Sequence, residues 1–363
     1  MTLEFPNPHP RLGGLLSTLL SDPERGYRIV DIGARGGAGG LWAPFAGFCE
    51  VIGFDPDAQE CARLNAEPGN AHQRFYPYAV GMTDGPRDFH ITQFPYSSGF
   101  YRGNPQWLDR FPFTTLTVRS TIQVDAVSLD TFVAREAIDR VDFIKLDVEG
   151  AELDVLRGAG RMLSECGVMG IKTEFWWDPV IKGQPSFADL DTFLREAGFR
   201  FFDAQLHRYP RQTLPAGRLD GRRKDDGHTE VALDPRPFGQ AFTGDALYFR
   251  DPVGEHAEGR TSISWTWDRL LRLCGLFDVF DYGDSAIEIL EQFRDSLAEH
   301  CAVDEAIDLS TPLVAGQAVH YDEYAAISAK IRQMMNQKIY QLSDWQPPKS
   351  GYRREVPAKP VKP

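Results

Sequence analysis

The chain has 363 residues, 42% hydrophobic and 25% charged, which predicts one large folded core with a smaller appendage and excludes a disordered or fibrous chain. A formal net charge of −13 excludes a general nucleic-acid binder, which needs a basic face against phosphates. No stretch approaches the roughly 18 apolar residues of a membrane span, and five scattered cysteines without pairing or metal-ligand spacing point to reduced thiols and the cytoplasm.

In chain order, residues 1–26 are expected to form a helical extension without the features of a leader peptide. Tyr27 to Asp31 reads as a strand breaking into glycines, with a helix to follow. Glu50 to Phe54 is a second strand, ended by Asp55-Pro56-Asp57, and Ala58 to Asn65 reads as a helix. Arg74 to Val80 is a third strand. Thr83 to Ser120 reads as a long aromatic loop, with Phe89, Phe94, Tyr96, Phe100, Tyr101, Trp107, Phe111 and Phe113 making either a lid over a sugar ring or a satellite apolar cluster.

Val141 to Leu146 and Val168 to Phe175 are the fourth and fifth strands, separated by a helix from about Ala151 to Ser164. A helix from Phe187 to Ala197 stops at Gly198. The last two strands, Phe199 to Gln205 and Ala246 to Arg250, have no helix between them. A basic cluster in their connection (Arg218, Arg222, Arg223, Lys224) reads as a solvated loop. The alternation predicts an α/β domain over 27–251 with a Rossmann-like, mostly parallel sheet and an antiparallel hairpin at one edge. Helices predicted at 264–274, 285–300 and 322–342 make a C-terminal unit over 252–345, a surface for homo-oligomer contact, and 346–363 read as a disordered basic tail rich in proline.

The glycine loop Gly33-Ala34-Arg35-Gly36-Gly37 lets the backbone approach a ligand closely. Asp31, two residues before its first glycine, suits the ammonium of a methionine moiety and would repel a pyrophosphate. Arg35 stands where a dinucleotide loop has its second glycine. Asp55 suits the two ribose hydroxyls of an adenosine, a device that NAD sites share. Tyr78 to Gly81 reads as an adenine edge, with Ala79 at its centre. The cofactor candidates are therefore Asp31, Gly33, Arg35, Gly36, Gly37, Asp55, Ala79 and, over the next strand end, Asp147. They point to S-adenosylmethionine (SAM). The alternatives are an NAD-dependent oxidoreductase and a non-catalytic glycan-binding or scaffold protein.

Ile144-Lys145-Leu146 runs into Asp147-Val148-Glu149-Gly150, which sets two carboxylates at the C-terminal end of a central strand, where ligands of open α/β sheets lie. The plain alternative is that these acids complement the dipole of the following helix. Lys145 inside an apolar strand requires a partner if buried.

The run Phe143 to Val148, followed by Glu149-Gly150-Ala151-Glu152-Leu153-Asp154-Val155-Leu156-Arg157-Gly158-Ala159, resembles the hallmark of the FkbM-type methyltransferases. Val124 to Phe132 and Tyr96-Ser97-Ser98-Gly99 resemble other segments of that family. The resemblance covers about Val30 to Asp203. It implies a SAM-dependent O-methyltransferase on a class I methyltransferase sheet, acting on a sugar or other hydroxyl of a secondary metabolite or surface glycan. Arg35 departs from it, since the family commonly has asparagine there.

Methyl transfer to a hydroxyl calls for positioning and a base. Asp147 is the first candidate, Glu149 the second, and Glu174 at the end of the fifth strand the third. His228, in the loop between the last two strands, is a further candidate. No metal is expected, but if a divalent cation binds, Asp147, Glu149 and Glu174 are the oxygen ligands available to it. Trp176-Trp177 is a second acceptor platform.

Overall fold

The computed structural model describes residues 7, 10–21, 26–70, 72–111, 115–214, 219–223, 229–233 and 238–336. Seven strands form the central sheet: β1 (Tyr27–Ile32), β2 (Cys49–Phe54), β3 (Gln73–Tyr76), β4 (Phe143–Leu146), β5 (Gly170–Trp176), β6 (Arg200–Tyr209) and β7 (Gln240–Phe249). Their order is β6-β7-β5-β4-β1-β2-β3. All neighbours are parallel except β7, which runs antiparallel to both β5 and β6. This is the expected mostly parallel sheet with a hairpin at one edge.

Period-two alternation divides the sheet into two unlike faces. Val30, Ile32, Ile144, Leu146 and Ile171 are buried in one core with Leu129, Phe132, Leu153, Leu156, Leu163, Leu190 and Leu194 from the helices Leu129–Arg135, Glu152–Arg157, Gly160–Glu165 and Phe187–Glu196. Ser128 caps the first of these helices through the Thr131 amide, and Ser186 forms a capping box with Asp189 on the last. The opposite face is aromatic near the strand starts, where Tyr27 stacks on Phe45 and Trp42 meets Phe143 edge-on. Toward the strand ends the same face turns ionic, and register sets Asp31, Lys145 and Lys172 side by side across β1, β4 and β5.

Two local expectations change. The segment after the glycine loop is a short 3-10 turn, Gly40–Phe45, in place of a helix. Gly39, with φ 66°, and Pro44 both weaken an α-helix here. The span read as a long loop opens and closes in a second sheet: Gly85–Thr92 pairs antiparallel with Val118–Val127, which pairs in turn with Ala79–Val80.

The contacts divide the chain differently from the sequence boundaries. Among the described residues, one unit comprises 20–272, and the other comprises residues up to 19 with 273–336. Residues 252–272 therefore fold with the sheet: Asp251 caps the helix Pro252–Ala257, whose Glu255 accepts hydrogen bonds from Ser262 and Trp265. In the second unit the N-terminal helix Gly13–Leu19 is tied in at its start by Asp278, whose carboxylate accepts the Arg11 and Leu12 amides, each at 2.7 Å. That unit also contains the helices Gly283–Gln292, Arg294–Leu297, Val303–Ser310 and Tyr321–Asn336. The expected tail at 346–363 lies outside the described residues, as do Arg218, Lys224 and His228. Leu219–Arg223 forms an antiparallel hairpin with Thr229–Leu233.

Candidate active site

A cavity of about 720 Å³ opens over the C-terminal ends of β1, β2 and β4. One wall is the glycine loop. Gly33 has φ +80°, and a Cβ there would lie 2.0 Å from the Asp147 carbonyl oxygen, so only glycine fits between β1 and the acidic turn. Gly36 and Gly37 also take positive φ, and the Gly36 N–H is engaged by Glu60 at 3.0 Å.

Asp31 is buried at the end of β1, and Lys145 reaches it from β4 at 3.2 Å. The same ammonium lies 3.5 Å from Asp147 and donates to the Gly33 carbonyl at 3.2 Å. The partner that Lys145 required is thus a pair of carboxylates. Burial opposes its charge, but Asp31 and Asp147 outweigh burial and hold the ammonium well above its ordinary value. Burial pushes Asp31 up, against the pull of Lys145.

Asp55 is buried at the end of β2 and lines the cavity. Its Oδ1 accepts the Asp57 amide at 2.8 Å and lies 3.6 Å from the Arg35 guanidinium. Arg35 pairs with Asp57 at 2.9 Å, and Tyr78, Ala79 and Val80 close this end of the cavity. Gly33, which has no room for a Cβ, and the cavity-lining acid Asp55 fit a SAM molecule by its close approach and its ribose, whereas Asp31 lies behind Lys145 and does not itself line the cavity.

The acidic turn forms the second wall. Asp147 and Glu149 line the cavity, and Asp147 is half-exposed to it. Glu149 has φ +55°, a left-handed conformation that costs energy for a residue with a Cβ. The buried carboxylate of Glu152 braces the turn by accepting the Val148 and Gly150 amides at 3.0 and 3.3 Å. The sequence placed Glu152 in the first turn of the next helix as a complement to its dipole, but not in this bracing role, which depends on the fold of the turn. Glu149 borders the cavity but is otherwise enclosed by protein. Burial, then Asp147 and Glu152, push its carboxyl up to about 8, and burial raises Glu152 to about 7.

Glu174 stands apart. It does not line the cavity; its Oε1 meets the Thr243 hydroxyl at 3.5 Å and its buried Oε2 receives no hydrogen bond among the described residues. Burial, followed by the charges of Glu149 and Asp147, holds it well above the usual carboxylate range. Among the described residues, no three His, Cys, Asp or Glu side chains are placed to hold a metal ion. The set Asp147, Glu149 and Glu174 does not assemble as ligands because Asp147 faces Lys145 and Glu174 turns toward β7. His228 lies outside the described residues.

The third wall comes from the second sheet and splits the aromatic segment in two. Phe89, Phe94, Tyr96 and Phe100 line the cavity together with Ser97 and Ser98. Tyr101, Trp107 and Phe111 instead join a satellite core with Trp176 and Phe242. Trp176 is buried there and Trp177 packs on Phe175 and Phe187, so this pair is no acceptor platform in the cavity.

A family model for the methyltransferase FkbM domain matches residues 31–201. The 2-O-methyltransferase NoeI of Sinorhizobium fredii (strain NBRC 101917 / NGR234) is 26% identical over 172 residues, covering 45% of this chain and 69% of that protein. A crystal structure of the methyltransferase FkbM from Methylobacillus flagellatus KT aligns with TM-score 0.32 and 18% identity, covering 62% of this chain and 44% of that one, so the alignment spans less than half of that protein. The magnesium protoporphyrin IX methyltransferase (ChlM) of Synechocystis PCC 6803 with bound SAM aligns with TM-score 0.28 and 13% identity, over 66% and 77% of the two chains. The family match spans the glycine loop, the acids Asp31 and Asp55 and the acidic turn, so residues 31–201 form a SAM-dependent methyltransferase domain of the FkbM type.

Proposed function

We propose that this enzyme methylates a hydroxyl group of a sugar, in a glycan or a secondary metabolite, with Glu149 as the base. The observation that carries this reading is the position of Glu149: it lines the same cavity as Asp55 and the exposed ring pair of Phe94 and Tyr96, whose centroids are 5.3 Å apart. Exposed aromatic faces suit the apolar face of a sugar ring, and the similarity to the 2-O-methyltransferase NoeI supports an oxygen acceptor.

When bound, SAM supplies an electrophilic methyl group: the acceptor oxygen bonds to the methyl carbon while the carbon–sulfur bond breaks and its electron pair stays on sulfur. Asp55 orients the ribose end. The hydroxyl proton passes to the Glu149 carboxylate. A base with a carboxyl near neutrality holds a proton in transit better than an ordinary acid. Asp147, tied to Lys145, orients the acceptor hydroxyl. Glu174, raised by burial and then by the charge of Glu149, stays outside the cavity and takes no part in the transfer. Location in the cytoplasm and self-association through the C-terminal helices belong to the same proposal.

Calorimetry with SAM, its demethylated product S-adenosylhomocysteine (SAH) and NAD tests the cofactor side. Heat with NAD alone favours an oxidoreductase, and no heat with any of the three favours a binding or scaffold protein. Radiolabelled SAM added to cell extract, with identification of the labelled product, tests the acceptor. A labelled nitrogen or carboxyl group overturns the hydroxyl assignment.

A further inference from the structure

Arg35 sits in the glycine loop, yet its side chain leaves that loop in two directions. Its guanidinium pairs with Asp57 at 2.9 Å and approaches Asp55 Oδ1 at 3.6 Å. On its other side it lies 5.8 Å from the centroid of the Tyr96 ring, within reach of a cation–π contact. Tyr96 belongs to the segment 92–98, whose ends are closed by mutual backbone hydrogen bonds of His90 and Gly99 at 2.8 and 3.3 Å. Inside the segment, the Thr92 amide donates to Ser98 Oγ at 3.1 Å and the Thr92 hydroxyl to the Phe94 carbonyl at 2.6 Å. The segment is therefore braced at its base.

Its far end rests on the acidic turn. A Cβ on Gly99 would stand 3.3 Å from the Val148 carbonyl oxygen and 3.4 Å from Glu149 Cβ. The exposed rings of Phe94 and Tyr96 lie between these two anchors.

We infer that Arg35 is a positioning residue that couples cofactor binding to the acceptor wall, by linking the ribose-facing acid Asp55 to the segment 92–98 through Tyr96. This rests on Asp55 facing the cofactor ribose. Asp55 Oδ1 already accepts one amide. Ribose hydroxyls that donate to this carboxylate compete with the more distant guanidinium contact and leave Arg35 to Asp57 and Tyr96. The fork and flat face of a guanidinium allow both contacts at once, which a lysine does not reproduce. Cofactor binding thus tightens the contact between Arg35 and Tyr96 and, through it, the segment that carries the acceptor rings. Coupling is reciprocal, so a change in the segment must alter cofactor affinity by the same factor that the cofactor alters the segment.

Hydrogen exchange of the full chain with and without saturating SAH, joined to calorimetry, tests the link. In the wild type, SAH slows exchange across 92–99. In Arg35→Ala and Arg35→Lys, each saturated according to its own affinity, the segment exchanges as fast as without ligand. Tyr96→Ala, outside the cofactor cradle, binds SAH about two- to fivefold more weakly, the worth of one exposed cation–π contact. Unchanged exchange in the wild type despite SAH heat overturns the coupling. So does equal protection in Arg35→Ala, or wild-type affinity in Tyr96→Ala, and the last arm decides if Arg35→Ala no longer binds SAH. Absence of SAH heat in the wild type is a different failure, that of the cofactor assignment itself.

Discussion

The sheet carries buried charge at both ends of its strands and treats it in opposite ways. At the strand starts, the fully buried Asp142 accepts the Arg28 amide at 2.8 Å, Arg272 Nε at 2.8 Å and Arg140 at 3.2 Å. Arg272, itself buried, also pairs with Asp268 at 2.8 Å, and its carbonyl accepts the Tyr27 hydroxyl at 2.8 Å. At the strand ends, Asp31 Oδ1 is served by Lys145 alone, and Glu174 Oε2 has no hydrogen bond or ion pair among the described residues. Glu149 and Glu152 sit beside them with raised carboxyls. Completed pairing builds structure. Incomplete pairing, held in place by the first kind, leaves groups whose protonation and contacts a ligand can change.

The largest expected effect separates the two ends by function. Glu149→Gln is expected to cut turnover by about 10²–10⁴-fold while SAH affinity stays near that of the wild type. The wild-type rate should rise with pH as Glu149 ionises through about 8, and the variant should lose that rise. A variant that keeps its rate removes Glu149 as the base, and Asp147→Asn then becomes the decisive comparison.

Asp142→Ala tests the opposite end. It leaves the Arg272 guanidinium buried without its carboxylate, which should cost about 3–5 kcal/mol of stability in urea unfolding. The rate per folded molecule should be preserved. A loss below about 1 kcal/mol, the scale of an exposed pair, means that this network is not the support described above.

The smallest effect is a matter of pH. Glu149, Glu152 and Glu174 have folded carboxyls raised above their unfolded values, so between the ordinary carboxylate range and about 8 the folded state binds more protons than the unfolded one. Stability from these groups is therefore present at low pH and lost as pH rises through that window. Glu60, depressed to about 2 by its hydrogen bond with Arg63, acts with the opposite sign and below the window. Thermal midpoints should fall as pH rises from about 5 to 8, and Glu174→Gln should be more stable than the wild type at the upper end. A midpoint rising over this range contradicts the unpaired carboxyls.

Much of this site was legible before any coordinates because the signals are local. Strand alternation placed Asp31, Asp55 and Asp147 at strand ends, and the glycines after β1 marked a close backbone approach, which the Asp147 carbonyl beside Gly33 explains. Lys145 was readable only as a question, since its answer depends on the register that brings β1 beside β4. The second sheet was missed because Gly85–Thr92 and Val118–Val127 pair across a long intervening segment, a non-local contact that periodicity does not report.

What the sequence by itself determined is the class of fold, the family and the acids over the strand ends, since each follows from the order and spacing of nearby residues. Tertiary structure alone distinguished the acids from one another. Asp147, Glu149 and Glu174 are equivalent as letters at strand ends, but one is paired with Lys145, one is enclosed in the cavity wall and one is turned away toward β7. It also decided which aromatic rings face the cavity and which fill a core. Burial and partner charge set those differences, and both are properties of residues that meet only after folding.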